Sequence, residues 1–323
     1  MSLPLPDVGT LLSAALVAFV LAGLLAPFET LGWWAGWFGP HDPELVEGRP
    51  PEPADPPPSA RGYVVFLSGV HSVNGRAFAP RERAFLARLR DELPGVRVVE
   101  VFPYSVTNRA LTGQRIFARF WRFALAGKLG RRRLAGVASL LINLRNAWQV
   151  AVSADRRYGP MYDEGSAQLI ERALRAEGWD PEPRPPVLLV GYSGGGQIAL
   201  GAAAPLSRRL GRTIDVVSLG GVMASPRSLD GLGRVVHLSG RNDHVARIGA
   251  AFFPGRWSFV RWSSWNRARA QGRIEVVDLG EMDHTGRDGY LDDDGVAEDG
   301  HSYLDVTVSA IARTVTRSLA QPS

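Results

Sequence analysis

A short apolar, β-branched run, Pro186-Val187-Leu188-Leu189-Val190, leads straight into Gly191-Tyr192-Ser193-Gly194-Gly195, and Gln197-Ile198-Ala199-Leu200-Gly201-Ala202-Ala203-Ala204 follows. The spacing predicts a buried strand, a sharp turn and a closely packed helix. A serine between strand and helix, with glycine two residues before and two after, is the nucleophile-elbow arrangement. Flanking Cβ atoms would collide in so tight a turn, so the chemistry needs glycine on both sides. The hydroxyl then stands clear of the backbone, and the helix aims its first N–H groups at any negative charge developing nearby. The chain holds 36 glycines, so the bare pattern could arise by chance; its position at a strand-to-helix junction is the stronger signal. No lysine follows as in a phosphate-binding P-loop, and a G-x-G-x-x-G fingerprint is absent from this loop.

The rest of the body has the same alternation. Strands are predicted at 63–67, 96–101, 213–219, 234–238 and 273–279, and helices at 81–93, 165–177 and 302–319. Strands alternating with helical segments predict an α/β fold, a mostly parallel sheet with helices on both faces. With no cysteine in the chain, disulfides, thiolate metal sites and cysteine nucleophiles are excluded.

Ahead of this body, residues 8–28 carry no charge. That length suffices to cross a hydrocarbon layer of about 30 Å at about 1.5 Å per helical residue. Gly32-Trp33-Trp34-Ala35-Gly36-Trp37-Phe38 follows, an aromatic cluster of interfacial type. Residues 1–38 are therefore expected to form a transmembrane anchor. No Lys or Arg precedes the apolar run, which argues against a cleaved signal peptide. Residues 39–60 contain eight prolines mixed with acids and are expected to be an extended linker. The remainder, 61–323, is expected to be one α/β domain. Its charge is lopsided: residues 1–60 hold seven acids and one base, whereas the body holds 36 bases against 25 acids. A basic body favours anionic surfaces.

Two stretches exceed a minimal sheet. Residues 106–160 interleave Ile116, Phe117, Phe120, Trp121 and Phe123 with Arg115, Arg119 and Arg122, and are expected to be a helical insertion of one or two amphipathic, basic helices. Residues 245–272 hold Phe252, Phe253, Trp257, Phe259, Trp262 and Trp265 with arginines between them. Both stretches fit ordinary packing onto the body, a cap over the site, or a face resting on lipid. Aromatic–arginine interleaving also suits single-stranded nucleic acid, but no nucleic-acid motif accompanies it, and no such partner is expected.

A serine nucleophile needs a base, and the base an orienting acid. On an elbow of this type the order is serine, acid, histidine, each past a strand end. The strand around Val235-Val236 ends in Ser239-Gly240-Arg241-Asn242-Asp243, which nominates Asp243. The strand around Val276-Val277 ends in Gly280-Glu281-Met282-Asp283-His284, which nominates His284. His301, at the start of the last helix, is the second candidate for the base. His237 lies inside a strand and is expected to be a core residue. The oxyanion donors are expected to be the backbone N–H groups of Gly194 and of Val70 in the loop Ser68-Gly69-Val70 after the first body strand.

These motifs resemble the α/β-hydrolase superfamily over roughly residues 61–320. The resemblance implies a Ser–His–Asp mechanism with no metal or organic cofactor. It departs from the superfamily in two places. The common cap position after the strand following the elbow is nearly empty, so any cap must come from 106–160. The His-Gly pair common in lipases at the oxyanion loop is here Ser68-Gly69. The expected activity is cleavage of a carboxylic ester or thioester, with a lipid or other acyl ester as substrate. Acyl transfer by the same triad, and a non-catalytic membrane-tethered module on the same scaffold, are the alternatives.

Overall fold

The structure, a computed structural model, describes residues 60–72, 80–104, 132–182 and 185–320, with a few isolated positions among the first 35. The expected anchor, its aromatic segment and the linker lie outside the described residues apart from those positions, as do residues 106–131 of the expected insertion. Among the described residues no helix is long and apolar enough to cross a membrane.

Six strands form one sheet: β1 (Gly62–Leu67), β2 (Val96–Val101), β3 (Val187–Tyr192), β4 (Ile214–Leu219), β5 (Leu232–Ser239) and β6 (Ile274–Asp278). Their order is β2-β1-β3-β4-β5-β6, and every pairing is parallel. Parallel strands need crossovers, and the crossovers cover both faces of the sheet. Side chains alternate between two cores. Tyr63, Val65, Leu67, Val187 and Leu189 pack on one side with Val150 and Val152 of α2 (Arg132–Ala154), Tyr162 and Ile170 of α3 (Gly159–Ala176), and Ile198 and Leu206 of α4 (Gly194–Leu210). Val64, Phe66, Leu188 and Val190 pack on the other with Phe85 and Leu89 of α1 (Pro80–Glu92) and with Leu304 and Ile311 of α7 (Tyr303–Leu319). Two shorter helices, α5 (His244–Phe252) and α6 (Ser264–Ala270), follow β5. This is the mostly parallel α/β sheet, helices on both faces, that the alternation predicts.

The strand order positions the site. The chain steps outward from β1 to β2, then crosses back to lay β3 on β1's other side. The loops leaving β1 and β3 therefore part in opposite directions and open a crevice at the carboxyl ends of these strands.

Boundaries differ from expectation mainly at α3, which starts at Gly159 rather than 165. Pro160 in the first turn explains this: proline has its φ preset for a helix and lacks an N–H that would have no intrahelical acceptor there. Helix α2 is a single continuous element within the expected insertion. It packs on α4 and α3 and reaches the crevice, as described next.

Candidate active site

Ser193 lies between β3 and α4 with φ 55 and ψ −122, one of two non-glycine residues with positive φ among those described. Such a backbone costs of order 1–3 kcal/mol and persists only where its surroundings enforce it. Its neighbours do. A Cβ on Gly191 would lie 2.5 Å from the Gly195 carbonyl oxygen, and one on Gly195 would lie 2.4 Å from the carbonyl oxygen of Leu67. The glycines let α4 start almost in contact with the ends of β1 and β3. The Ser193 N–H donates to the Leu219 carbonyl, fixing the turn to β4.

The crevice brings three separated side chains into line. His284 Nε2 is 2.8 Å from Ser193 Oγ, and His284 Nδ1 is 2.9 Å from Asp243 Oδ2. Ser193 is 7% exposed and Asp243 is fully buried. Asp243 stands just past β5 as the N-cap of α5, its Oδ1 accepting the Ala246 N–H at 2.8 Å. Burial opposes the charge on Asp243. Hydrogen bonds from His284, Tyr290 and the Ala246 N–H together outweigh it and hold the carboxyl below its ordinary pKa.

Tyr290 carries no signal in the sequence, yet its hydroxyl donates to Asp243 Oδ2 at 2.6 Å and accepts the Gly240 N–H at 2.8 Å. Burial, then the Asp243 charge, raise the pKa of the phenol, so it remains a donor. Tyr192, inside the elbow, stacks on the His284 ring at 5.7 Å between centroids, and its hydroxyl donates to the His284 carbonyl at 2.8 Å. The imidazole is thus fixed at its ring and at its backbone.

Val70 and Gly194 adjoin: a Cβ on Gly194 would lie 2.7 Å from Val70 Cγ1 and equally close to Val150 Cγ2 of α2. Gly194 is the first residue of α4, so its N–H has no acceptor within the helix. The loop bearing Val70 is held from outside. Asn146 of α2, fully buried, donates to the carbonyls of Val70 at 2.7 Å and Ser72 at 2.9 Å. Tyr104 donates to the Ser68 carbonyl at 2.7 Å. Buried Glu82 accepts from Ser72 Oγ at 3.2 Å and pairs with His71 at 3.3 Å.

The other candidates lie elsewhere. His301 is exposed ahead of α7. His237 is buried in β5 with Nδ1 3.2 Å from Ser218 Oγ; burial and then the Arg256 charge push its pKa down to about 3. Of the acidic run 292–294, Asp292 is buried and pairs with Arg81 at 2.8 Å. Arg81 also donates to the Gly286 carbonyl, tying α1 to the loop that carries His284. Among the described residues no group of three or more His, Asp or Glu could hold a metal ion.

No protein-family model matches the chain, and no curated protein matches it. Among solved structures it is similar to a dienelactone hydrolase from Anabaena variabilis ATCC 29413, at 17% identity over 81% of this chain and 86% of that chain, with a TM-score of 0.41. So distant a likeness has no bearing on the chemistry of the site.

Proposed function

We propose that the chain is a serine hydrolase of carboxylic esters or thioesters. The observation that carries this reading is the continuous relay from Ser193 Oγ through both nitrogens of His284 to buried Asp243, at 2.8 and 2.9 Å. Ser193 Oγ attacks the acyl carbon while its proton passes to His284 Nε2. Asp243 stabilises the imidazolium through Nδ1. The carbonyl electron pair moves onto oxygen, where the N–H groups of Gly194 and Val70 receive it; one such donor is typically worth about 3 kcal/mol. Collapse of the intermediate expels the alcohol or thiol, which takes the proton from His284. A water molecule, deprotonated by the same imidazole, then attacks the acyl-enzyme and regenerates Ser193. We also assign the body to a membrane surface through residues 8–28, with a lipid-like acyl ester as substrate. The uncharged N-terminal run and the basic, aromatic segments support that assignment.

A fluorophosphonate probe tests the chemistry. Wild-type protein is expected to be labelled stoichiometrically, with no labelling in Ser193→Ala. His284→Ala should lose at least about 10³-fold in turnover of a short p-nitrophenyl ester, with His301→Ala near wild type. A folded wild type that takes up no probe refutes the reading.

A further inference from the structure

Between Asp243 and Glu275 the chain carries six arginines and no carboxylate. Two of these arginines are used internally. Arg256 lies over the ring of Trp265 at 4.3 Å, and Arg273 donates to the carbonyls of Leu229 and Leu232. The other four, Arg247, Arg261, Arg267 and Arg269, are exposed.

Large apolar side chains stand out among them. Phe252 and Trp262 are each 76% exposed, Phe259 68% and Ile248 55%. On α5, Val245, Ile248 and Phe252 form one outward stripe at helical spacing, while Gly249 on the inner side packs against Val222. Trp265 is buried, so the fold covers that ring while leaving Phe252, Phe259 and Trp262 out. Helix α5 begins at the residue after Asp243, so its stripe borders the rim that holds Ser193.

Charge selects the occupant. Residues 105–131 of this chain carry Arg109, Arg115, Arg119, Arg122, Lys128, Arg131 and no acid, and would set like charge against like. A second copy of the face would do the same. The acidic stretch 39–60 offers carboxylates but only Leu45 and Val46 as large aliphatic partners for the rings. Nucleic acid supplies phosphates, but the aliphatic part of the α5 stripe gives bases nothing to stack on. An anionic bilayer surface supplies both phosphates for arginine and an interface for aromatic and aliphatic groups.

We propose that Val245, Ile248, Phe252, Phe259 and Trp262, with the four exposed arginines, form a contact face for anionic lipid headgroups. The face turns the rim carrying Ser193 toward the bilayer. The contact does not depend on catalysis; its use, to collect an acyl ester from the membrane, rests on the function proposed above.

The chain contains no cysteine, so a single introduced one can be labelled in the full-length protein. Phe259→Cys reports on the face, and Asp91→Cys, exposed where α1 turns into β2 at the opposite end of the sheet, is the control. Each carries an environment-sensitive fluorophore and is reconstituted with vesicles holding nitroxide-labelled lipid, with or without phosphatidylglycerol in phosphatidylcholine. The expected result is quenching at 259 but not at 91, stronger with phosphatidylglycerol and reduced by salt. Arg261→Gln and Arg269→Gln should each weaken the phosphatidylglycerol-dependent interaction about fivefold. Equal quenching at the two positions, or none at 259 with phosphatidylglycerol present, overturns the proposal. Fluorophosphonate labelling of the same samples separates the claims: labelling without quenching at 259 removes the lipid face alone, and quenching without labelling removes the hydrolase alone.

Discussion

Asp243 is asked to stay ionised while fully buried, and Tyr290 is part of how it does so. Its hydroxyl shares Oδ2 with His284 Nδ1, at 2.6 and 2.9 Å, and is itself oriented by the Gly240 N–H. Tyr290→Phe removes that donor without changing the ring packed edge-on against His284. Hydrogen bonds to charged groups are worth roughly 1.5–3 kcal/mol, so kcat for a short ester should fall roughly ten- to a hundredfold, with KM nearly unchanged. Without that donor the Asp243 carboxyl, opposed by burial, is held less far below its ordinary pKa, and the acid limb of the rate profile moves to higher pH. A loss of activity with an unmoved limb would reduce Tyr290 to packing. Ser193, Asp243 and His284 were each legible because a strand end precedes them and the order of the three is informative. Tyr290 was not legible: it sits in the irregular run between β6 and α7, where no period marks which aromatic side chain turns inward.

At the scale of elements, the junction of β3 and α4 was the most legible part of the chain, because its glycines have a geometric reason that composition alone does not supply. The strands were legible for a related reason. The inner strands β1 and β3, buried along their whole length, read as continuous apolar runs, and the observed limits of all six strands fall within two residues of those expected. The role of α2 was hidden. Its apolar residues show that it packs, but not that Asn146 would reach the carbonyls of Val70 and Ser72. A single amide on a helix has no partner written in the sequence, since both acceptors are backbone atoms of a loop over 70 residues away. Asn146→Leu strands two carbonyls at a cost of roughly 1–3 kcal/mol each and frees the loop that presents the Val70 N–H. Stability should fall, and the acylation rate should fall by about tenfold or more beyond what a comparably destabilising core substitution produces. Equal losses in the two variants would make α2 a support for the fold and not for the loop bearing Val70.

The middle of the sheet is packed on both faces by apolar side chains, and His237 shows what that burial does to the pH dependence of folding. It lies in β5 against Ser218 of β4, 3% exposed, with a pKa of about 3 in the folded protein. In the unfolded chain a histidine titrates near 6.5. Between these values the unfolded state binds a proton that the folded state refuses, so stability rises with pH and is lost as pH falls below about 6.5. One proton corresponds to about 1.4 kcal/mol per pH unit. Asp243, whose folded pKa is depressed, also loses stability in acid, but only as pH falls below about 4, its ordinary carboxyl range. Denaturant unfolding between about pH 6.5 and about pH 4.5 therefore keeps clear of the Asp243 titration. His237→Asn keeps an amide nitrogen near Ser218 and cannot titrate. Groups common to both proteins cancel in the difference between their stability curves, and that difference should have a slope of about 1.4 kcal/mol per pH unit across the window. Parallel curves would mean that His237 takes up its proton inside the folded sheet, and that the two cores are more open to water than their packing implies.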